Sequence, residues 1–236
     1  MTELLKSKLL DSIRSYFEPT DEKIANAYLQ DLGLTWDFLK DKSILDIGAG
    51  SGGFAHAAKR RGVEIIPLDE DPQWWKTRGM FYKHVPYVQG TAFHLPFLDE
   101  SFDLIISREA VEYMVFPKVN EDKRMSLQEI RDGIERNFRQ LLPEVLRVLR
   151  PNGEFRFDIG VWGWALYTTE ESSLQALEKE KSDPEFRKQR AEKIAQRSLE
   201  FLQSIYPHIT MHTPPDETGD DRKNYFRMIK SCTVLY

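Results

Sequence analysis

The chain has 236 residues and a single cysteine, Cys232. One thiol closes no disulfide within a chain and completes no cysteine-rich zinc site. Long apolar runs are lacking too: nothing approaches the ~18 consecutive apolar residues that cross a bilayer. The opening Met1-Thr2-Glu3-Leu4-Leu5-Lys6 is amphipathic, without the continuous apolar stretch of a secretory leader, so a cytoplasmic protein with no membrane partner is expected. Neither sign of charge prevails. Lys and Arg number 33 against 38 Asp and Glu, a formal net charge of -5, which argues against a nucleic-acid partner. What is present is 41% hydrophobic and 30% charged residues, a balance that excludes wholesale disorder. At ~150 residues per domain the length fits one elaborated α/β domain, and a chain of this size buries about 70% of its unfolded surface without staples.

No repeat or low-complexity segment interrupts the chain, which reads as one domain over 1–236 with three zones. Residues 1–42 are a helical cap: Leu5, Leu9, Leu10, Ile13, Tyr16 and Phe17, then Ile24, Tyr28 and Leu29, recur at helical spacing, with Thr20 or Asp21 as a helix cap between them. Residues 43–160 alternate short apolar runs (Ser43–Ile47, Val63–Leu68, Pro86–Val88, Leu104–Ser107, Glu154–Asp158) with helical stretches (Gly53–Arg61, Pro72–Met80, Leu127–Leu149). That alternation predicts right-handed βαβ units on a parallel sheet. Segment 114–135, poor in apolar residues, reads as an insertion after the fourth strand. Residues 161–236 carry Trp162 and Trp164, a long charged helix with Ile194, Phe201, Leu202 and Ile205 on one face, and two strand-like runs, 209–212 and 225–234. Only a turn joins those two runs, so they are expected to pair antiparallel.

The strongest local pattern is Ile44-Leu45-Asp46-Ile47-Gly48-Ala49-Gly50-Ser51-Gly52-Gly53: a buried strand, a glycine-rich turn, then a helix. Glycine lets a ligand approach the backbone closely, and the helix behind offers unpaired N–H donors. Gly48, Gly50 and Gly53 satisfy G-x-G-x-x-G, the dinucleotide fingerprint. The acid two residues before the first glycine, Asp46, suits a cationic ligand better than a pyrophosphate, because it meets an ammonium directly or through water.

The stretch resembles motif I of the class I S-adenosylmethionine (SAM)-dependent methyltransferases. Four further segments resemble that family in the right order. They are Val63–Asp69, a strand ending in an acid 23 residues after Asp46; Gln89–Phe97, like the adenine-flanking loop; Ser101–Ser107, like the fourth strand; and Leu146–Gly153, like the turn before the fifth. The last three segments count against the alternative of an NAD-dependent dehydrogenase. The resemblance implies a Rossmann-like α/β fold: a seven-stranded, mostly parallel sheet with an antiparallel last strand and helices on both faces. It implies SAM as cofactor and S-adenosylhomocysteine as product. Carried over residue by residue, it implies cofactor binding by Asp46, Gly48, Ala49, Gly50, Gly52, Asp69, Glu70, Thr91, Ala92, Phe93 and Ser107. Asp69 would take the ribose hydroxyls and could also cap the next helix. Thr91 stands where the family usually carries an acid, and Asn152 where the P-G-G turn has glycine; Asn tolerates the left-handed conformation that turn needs.

Methyl transfer needs an acceptor held in line with the methyl carbon, and a general base only for a hydroxyl or a protonated amine. Glu109, Glu112 and Tyr113 follow the fourth strand, and His94 sits in the adenine loop; these are the catalytic candidates. Glu109 and Glu112, three apart, are expected on one helix face. The fourth strand runs into Ser107-Arg108-Glu109-Ala110, not into the (Asp/Asn)-Pro-Pro-aromatic motif of methylation at planar amide or base nitrogens. No metal site is expected: His208 and His212 lie in strand context, where positions four apart are ~13 Å from each other. The reading is SAM-dependent methyl transfer to oxygen or nitrogen of a small molecule. RNA or protein methylation, or SAM binding without catalysis, are the alternatives.

Overall fold

The computed structural model describes residues 21–74, 85–117, 126–158, 182–212 and 225–230. Trp75, Trp162, Trp164, Cys232, most of the Pro72–Met80 stretch and residues 1–20 lie outside the described residues.

The apolar runs form strands β1 (Ile44–Ile47), β2 (Ile65–Asp69), β3 (Val88–Gln89), β4 (Phe102–Ser107), β5 (Leu149–Asp158), β6 (Thr210–His212) and β7 (Tyr225–Ile229). They make one seven-stranded sheet in the order β3-β2-β1-β4-β5-β7-β6. β1 to β5 pair in parallel, and β7 pairs antiparallel with both β5 and β6. The fold expected from the resemblance is thus the fold observed. β3 is displaced from the expected 86–88 and holds only two residues. β5 begins at Leu149 rather than Glu154 because the turn itself is paired: Asn152 donates to the Lys230 carbonyl at 2.9 Å and Lys230 to the Gly153 carbonyl at 3.0 Å. Asn152 takes φ 63, the left-handed conformation anticipated for it.

Helices flank the sheet: α1 (residues 21–31), α2 (Trp36–Leu39), α3 (Gly53–Lys59), α4 (Val111–Val115), α5 (Leu127–Val148) and α6 (Pro184–Ile205). Local chemistry sets several of their starts. Ser126 and Glu129 close a reciprocal capping box at α5, and Asp183 followed by Pro184 opens α6. Val115 and Ile134, both inside the 114–135 segment, are fully buried, so the ends of that segment belong to the core.

Side chains of β1 alternate between two cores. Leu45 and Ile47 face the layer built by α5 and α6 (Phe138, Leu141, Val145, Leu202). Ile44 faces the layer built by α1 and α3 (Ala25, Tyr28, Phe54, Ala58). Asp46, next on the Ile44 face, is therefore carried into an apolar layer, fully buried beside Tyr28. The chain leaves β1 for β2 on one side, and later returns to β4 on the other. In an open parallel sheet such a reversal opens a crevice at the carboxyl ends of the two strands.

Candidate active site

The crevice is walled by the two segments that leave β1 and β4. Gly48, Gly50 and Gly52 all have positive φ (73, 54 and 75). At Gly48 the reason is also spatial: a Cβ there would fall 2.2 Å from the Ala110 Cβ, so the glycine lets the post-β1 and post-β4 segments touch. At Gly50 the corresponding direction is open, with no atom of the described residues within 4 Å.

The turn is held from β2 as well. Gly48 and Ala49 both donate to the Leu68 carbonyl, at 2.8 and 3.1 Å. Asp69 Oδ2 accepts the Gly50 N–H at 2.9 Å, and its Oδ1 accepts the Asp71 N–H at 2.9 Å. Asp69 thus holds the backbone just after β2 while the cap of the following helix is Asp71, whose Oδ1 accepts the Gln73 N–H at 2.8 Å, and each Asp69 oxygen keeps a second acceptor position. Tyr87, just before β3, donates its hydroxyl to the Gly50 carbonyl at 2.8 Å. Glu70 is exposed at the rim.

Asp46 is the most unusual group here. Its Oδ1 accepts the Tyr28 hydroxyl at 3.3 Å, while its Oδ2 is buried with no hydrogen-bond partner among the described residues. Burial pushes its carboxyl up to about 8; the Tyr28 hydroxyl opposes that shift, nearby Asp69 adds to it, and Arg108 opposes it. A buried carboxylate oxygen left without a donor is costly. A bound ammonium would supply both the missing donor and the missing charge, so the residues present fit the amino-acid end of SAM.

On the β4 side, Ser107 is fully buried and donates to the Ile47 carbonyl at 2.8 Å, stitching β4 to β1. Arg108 donates through Nε to Asp31 of α1 at 2.7 Å and through Nη1 to Glu109 at 3.2 Å. Glu109 has φ 53, and its N–H is accepted by Asp158 at the end of β5 at 2.8 Å. The expectation that Glu109 and Glu112 share a helix face is corrected here. α4 starts only at Val111, and the left-handed turn at Glu109 removes it from that helix. Glu112 is buried, Tyr113 is 76% exposed, and both lie on α4.

The adenine-loop counterpart comes after β3. The Thr91 hydroxyl accepts the Phe93 N–H at 3.4 Å, and the Thr91 carbonyl accepts the His94 N–H at 3.2 Å. Ala92 is buried in the core and Phe93 packs partly against it. His94 is exposed and lies in electrostatic reach of Glu144 on α5. It is the one catalytic candidate outside the group after β4.

Tyr28, Asp31, Tyr87, Arg108 and Asp158 complete the surroundings without having been singled out in the sequence. A polar cavity of about 500 Å³, lined by Lys42, Asp103, Arg150 and Asn152 among others, lies at the opposite, amino ends of β4 and β5. The glycine turn takes no part in it.

With this geometry in hand, comparison with known proteins is direct. Residues 45–157 match the family model described as a methyltransferase domain. The YcgJ protein of Bacillus subtilis, named an uncharacterized methyltransferase, is 33% identical over 130 residues, covering 52% of this chain and 49% of that protein. An uncharacterized methyltransferase of a Mycobacterium species (strain KMS) is 29% identical over 121 residues, 51% of this chain and 40% of its own. The chain therefore spans less than half the length of these curated relatives. Among solved structures, a Methanococcus maripaludis protein named for SAM-dependent methyl transfer superposes with a TM-score of 0.52 at 16% identity, covering 98% of this chain and 94% of the other, a likeness of fold. Residues 45–157, just under half of the chain, are thus similar to the methyltransferase-domain family.

Proposed function

We propose that the protein transfers the methyl group of SAM to an oxygen or nitrogen of a small-molecule acceptor. The observation that carries this reading is the fully buried Oδ2 of Asp46, which has no hydrogen-bond partner among the described residues, on the strand that leads into the glycine turn. When bound, SAM supplies a methyl group already activated on a sulfonium. Asp46 accepts the ammonium of its amino-acid end. Asp69 has acceptor capacity left for the ribose hydroxyls, with Glu70 beside it at the rim. Gly48, Ala49, Gly50 and Gly52 give the close backbone approach, and Thr91, Ala92 and Phe93 would flank the adenine, Ala92 through its backbone N–H and Phe93 through its ring.

The protein's remaining task is to hold the acceptor and to take a proton where the acceptor carries one. Glu109 is best sited for it: its backbone is fixed by Asp158, its carboxylate is steered by Arg108, and the next residue, Ala110, touches the glycine turn. Glu112 and Tyr113 on α4 are further candidates, as is His94 in the loop after β3. The net charge of -5 favours a small acceptor over RNA.

The test is calorimetric titration with SAM and with S-adenosylhomocysteine, NAD serving as control, on the wild type and on Asp69→Ala. Micromolar binding of both adenosyl ligands, none of NAD, and a loss of at least tenfold in the variant support the reading. Preference for NAD, or undiminished binding in a folded Asp69→Ala, overturns it. A screen of amines and alcohols with methyl-labelled SAM then identifies the acceptor.

A further inference from the structure

We propose that the cavity at the amino ends of β4 and β5 is a second ligand site, taking a small polyanion, a phosphate ester or a polycarboxylate, between Lys42 and Arg150. It lies at the end of the sheet away from the glycine turn and stands independently of any reading of that turn.

The cavity holds about 500 Å³, the size of a small-molecule site. Its walls are pinned before any ligand arrives. Asp103 Oδ2 accepts the Ser43 N–H at 2.8 Å and Arg150 Nη1 at 2.8 Å. Arg150 Nε donates to the Glu100 carbonyl at 3.2 Å, and the Asn152 N–H is taken by the Lys230 carbonyl. The segments that enter β1, β4 and β5 therefore meet in fixed positions around it.

The acids of the cavity already face cations. Glu154 is bonded to Arg156 and to Arg227. Asp41 stands near Lys40, which is bonded to Asp37 at 2.6 Å. Asp103 is bonded to Arg150 and also lies in electrostatic reach of Lys42. Two cations thus share one carboxylate. The donors left over belong to those two cations. Lys42 meets no carboxylate at ion-pair distance among the described residues; its ammonium rests 4.8 Å from the centroid of the Phe38 ring. That ring also carries the Arg156 guanidinium at 4.4 Å. A lysine sharing one ring with a second cation gains by turning to a phosphate or carboxylate oxygen. In Arg150, Nε and Nη1 are engaged, and nothing among the described residues accepts from Nη2. Its guanidinium is oriented by Asp103 and Glu100 and keeps one nitrogen for a ligand. One positive charge without its own counter-charge, in a polar cavity of this size, answers to an anion with several acceptor oxygens.

The experiment is calorimetric titration of the full chain with pyrophosphate and with citrate, glycerol serving as the neutral control. One saturable site is expected for at least one anion, and none for glycerol. Pyrophosphate bound alone assigns a phosphate ester, citrate alone a polycarboxylate, both a general polyanion. Lys42→Met, which removes no hydrogen bond, should lose at least tenfold in anion affinity. Lys193→Met removes an exposed charge on α6, outside the cavity, and should change it by less than twofold. Arg150→Lys, which keeps the charge but loses Nη2, should fall between them. The glycine turn and the helix behind it are the competing anion site, so saturating S-adenosylhomocysteine should leave anion affinity within about twofold. Absence of saturable binding by either anion overturns the proposal. So do equal losses in Lys42→Met and Lys193→Met, an effect of net charge alone, and so does displacement of the anion by S-adenosylhomocysteine. If S-adenosylhomocysteine itself does not bind, the SAM reading fails, while the anion titrations and the two lysine variants still decide this site.

Discussion

The Gly50 N–H donates to Asp69 Oδ2 at 2.9 Å, across the carboxyl ends of β1 and β2. The Gly50 carbonyl is held in turn by the Tyr87 hydroxyl at 2.8 Å. Both polar groups of the turn's apex are thus engaged from outside the turn. Its shape is set before any ligand arrives, which lowers the ordering cost of binding. Asp69 is proposed to meet the ribose as well, whereas Tyr87 is bonded to the turn through the Gly50 carbonyl. Tyr87→Phe should therefore reduce S-adenosylhomocysteine affinity several-fold, less than Asp69→Ala does. It should cost about 1 kcal/mol of stability, one neutral hydrogen bond. Paired titrations and thermal melts check both; an affinity loss as large as that of Asp69→Ala would mean that Tyr87 meets the ligand itself.

The two glycines flanking Ala49 separate stability from binding. Gly48→Ala places a methyl 2.2 Å from the Ala110 Cβ at φ 73, so strain and clash act together, and about 2–4 kcal/mol of stability should be lost. Gly50→Ala carries φ 54 but meets no atom of the described residues within 4 Å, so only the backbone cost of about 1 kcal/mol applies. Its methyl points into the space assigned to the ligand, and adenosyl-ligand affinity should fall by more than tenfold. Denaturant unfolding of both variants is the measurement. Gly50→Ala as unstable as Gly48→Ala would contradict the openness of that position.

Asp46 makes the protein sensitive to pH in a direction set by its raised pKa. The unfolded carboxyl titrates near ~4, the folded one at about 8 because it is buried. Between those values the folded state keeps a proton that the unfolded state releases. This contribution is fully present below the unfolded value and is lost as pH rises toward 8. Relative to Asp46→Asn, the ligand-free wild type should lose melting temperature between pH 5 and pH 8.5. An ammonium ligand requires the ionised form, so S-adenosylhomocysteine binding at pH 6.5 should release close to one proton. Titrations in buffers of different ionisation enthalpy read that proton, and the Asn variant should show none. Parallel pH–stability curves for the two proteins would rule out a buried, protonated Asp46.

Much of this site was legible because its signals are local. The glycines after β1, the acid ending β2 and the helix start at Gly53 lie within one strand–turn–helix unit, where backbone geometry and residue type go together. The partners that tune the site are not local. Tyr28 reaches Asp46 across 18 positions, Tyr87 reaches Gly50 across 37, and Arg108 reaches Asp31 across 77. Periodicity marks Tyr28 only as an apolar helix position; that its hydroxyl would end on a buried carboxylate depends on how α1 packs on β1. The helix face expected to join Glu109 with Glu112 failed for a related reason. Spacing of three assumes a continuous helix, while the Asp158 carboxylate, 49 residues away, holds Glu109 in a left-handed turn.

The loop assigned to the adenine is anchored from α5, and Arg147 is its main tie. Arg147 donates to the Leu95 carbonyl at 2.9 Å, to the Phe97 carbonyl at 2.8 Å and to Asp99 at 2.8 Å. Its helix neighbour Glu144 accepts the Leu95 N–H at 2.9 Å. The apolar side of the same loop is fixed by buried Leu95 and by Phe97 set edge-on to Phe102 at 4.9 Å. Arg147→Met removes the polar tie and leaves the apolar one, so the loop should loosen rather than unfold. Solvent reaches Arg147, which keeps the loss toward the low end of the ~1–3 kcal/mol of charged hydrogen bonds. In a chain of this size that is roughly 2–6 °C in Tm. The bond from Arg147 also holds the Glu144 carboxyl below its usual range, a contribution present at neutral pH and lost as pH falls through that lowered value. The Tm gap between wild type and variant should accordingly close in acid. Hydrogen exchange at residues 95–99 should accelerate, while exchange in β1 and β4 stays unchanged. Uniform acceleration across the sheet would show instead that Arg147 supports the whole core.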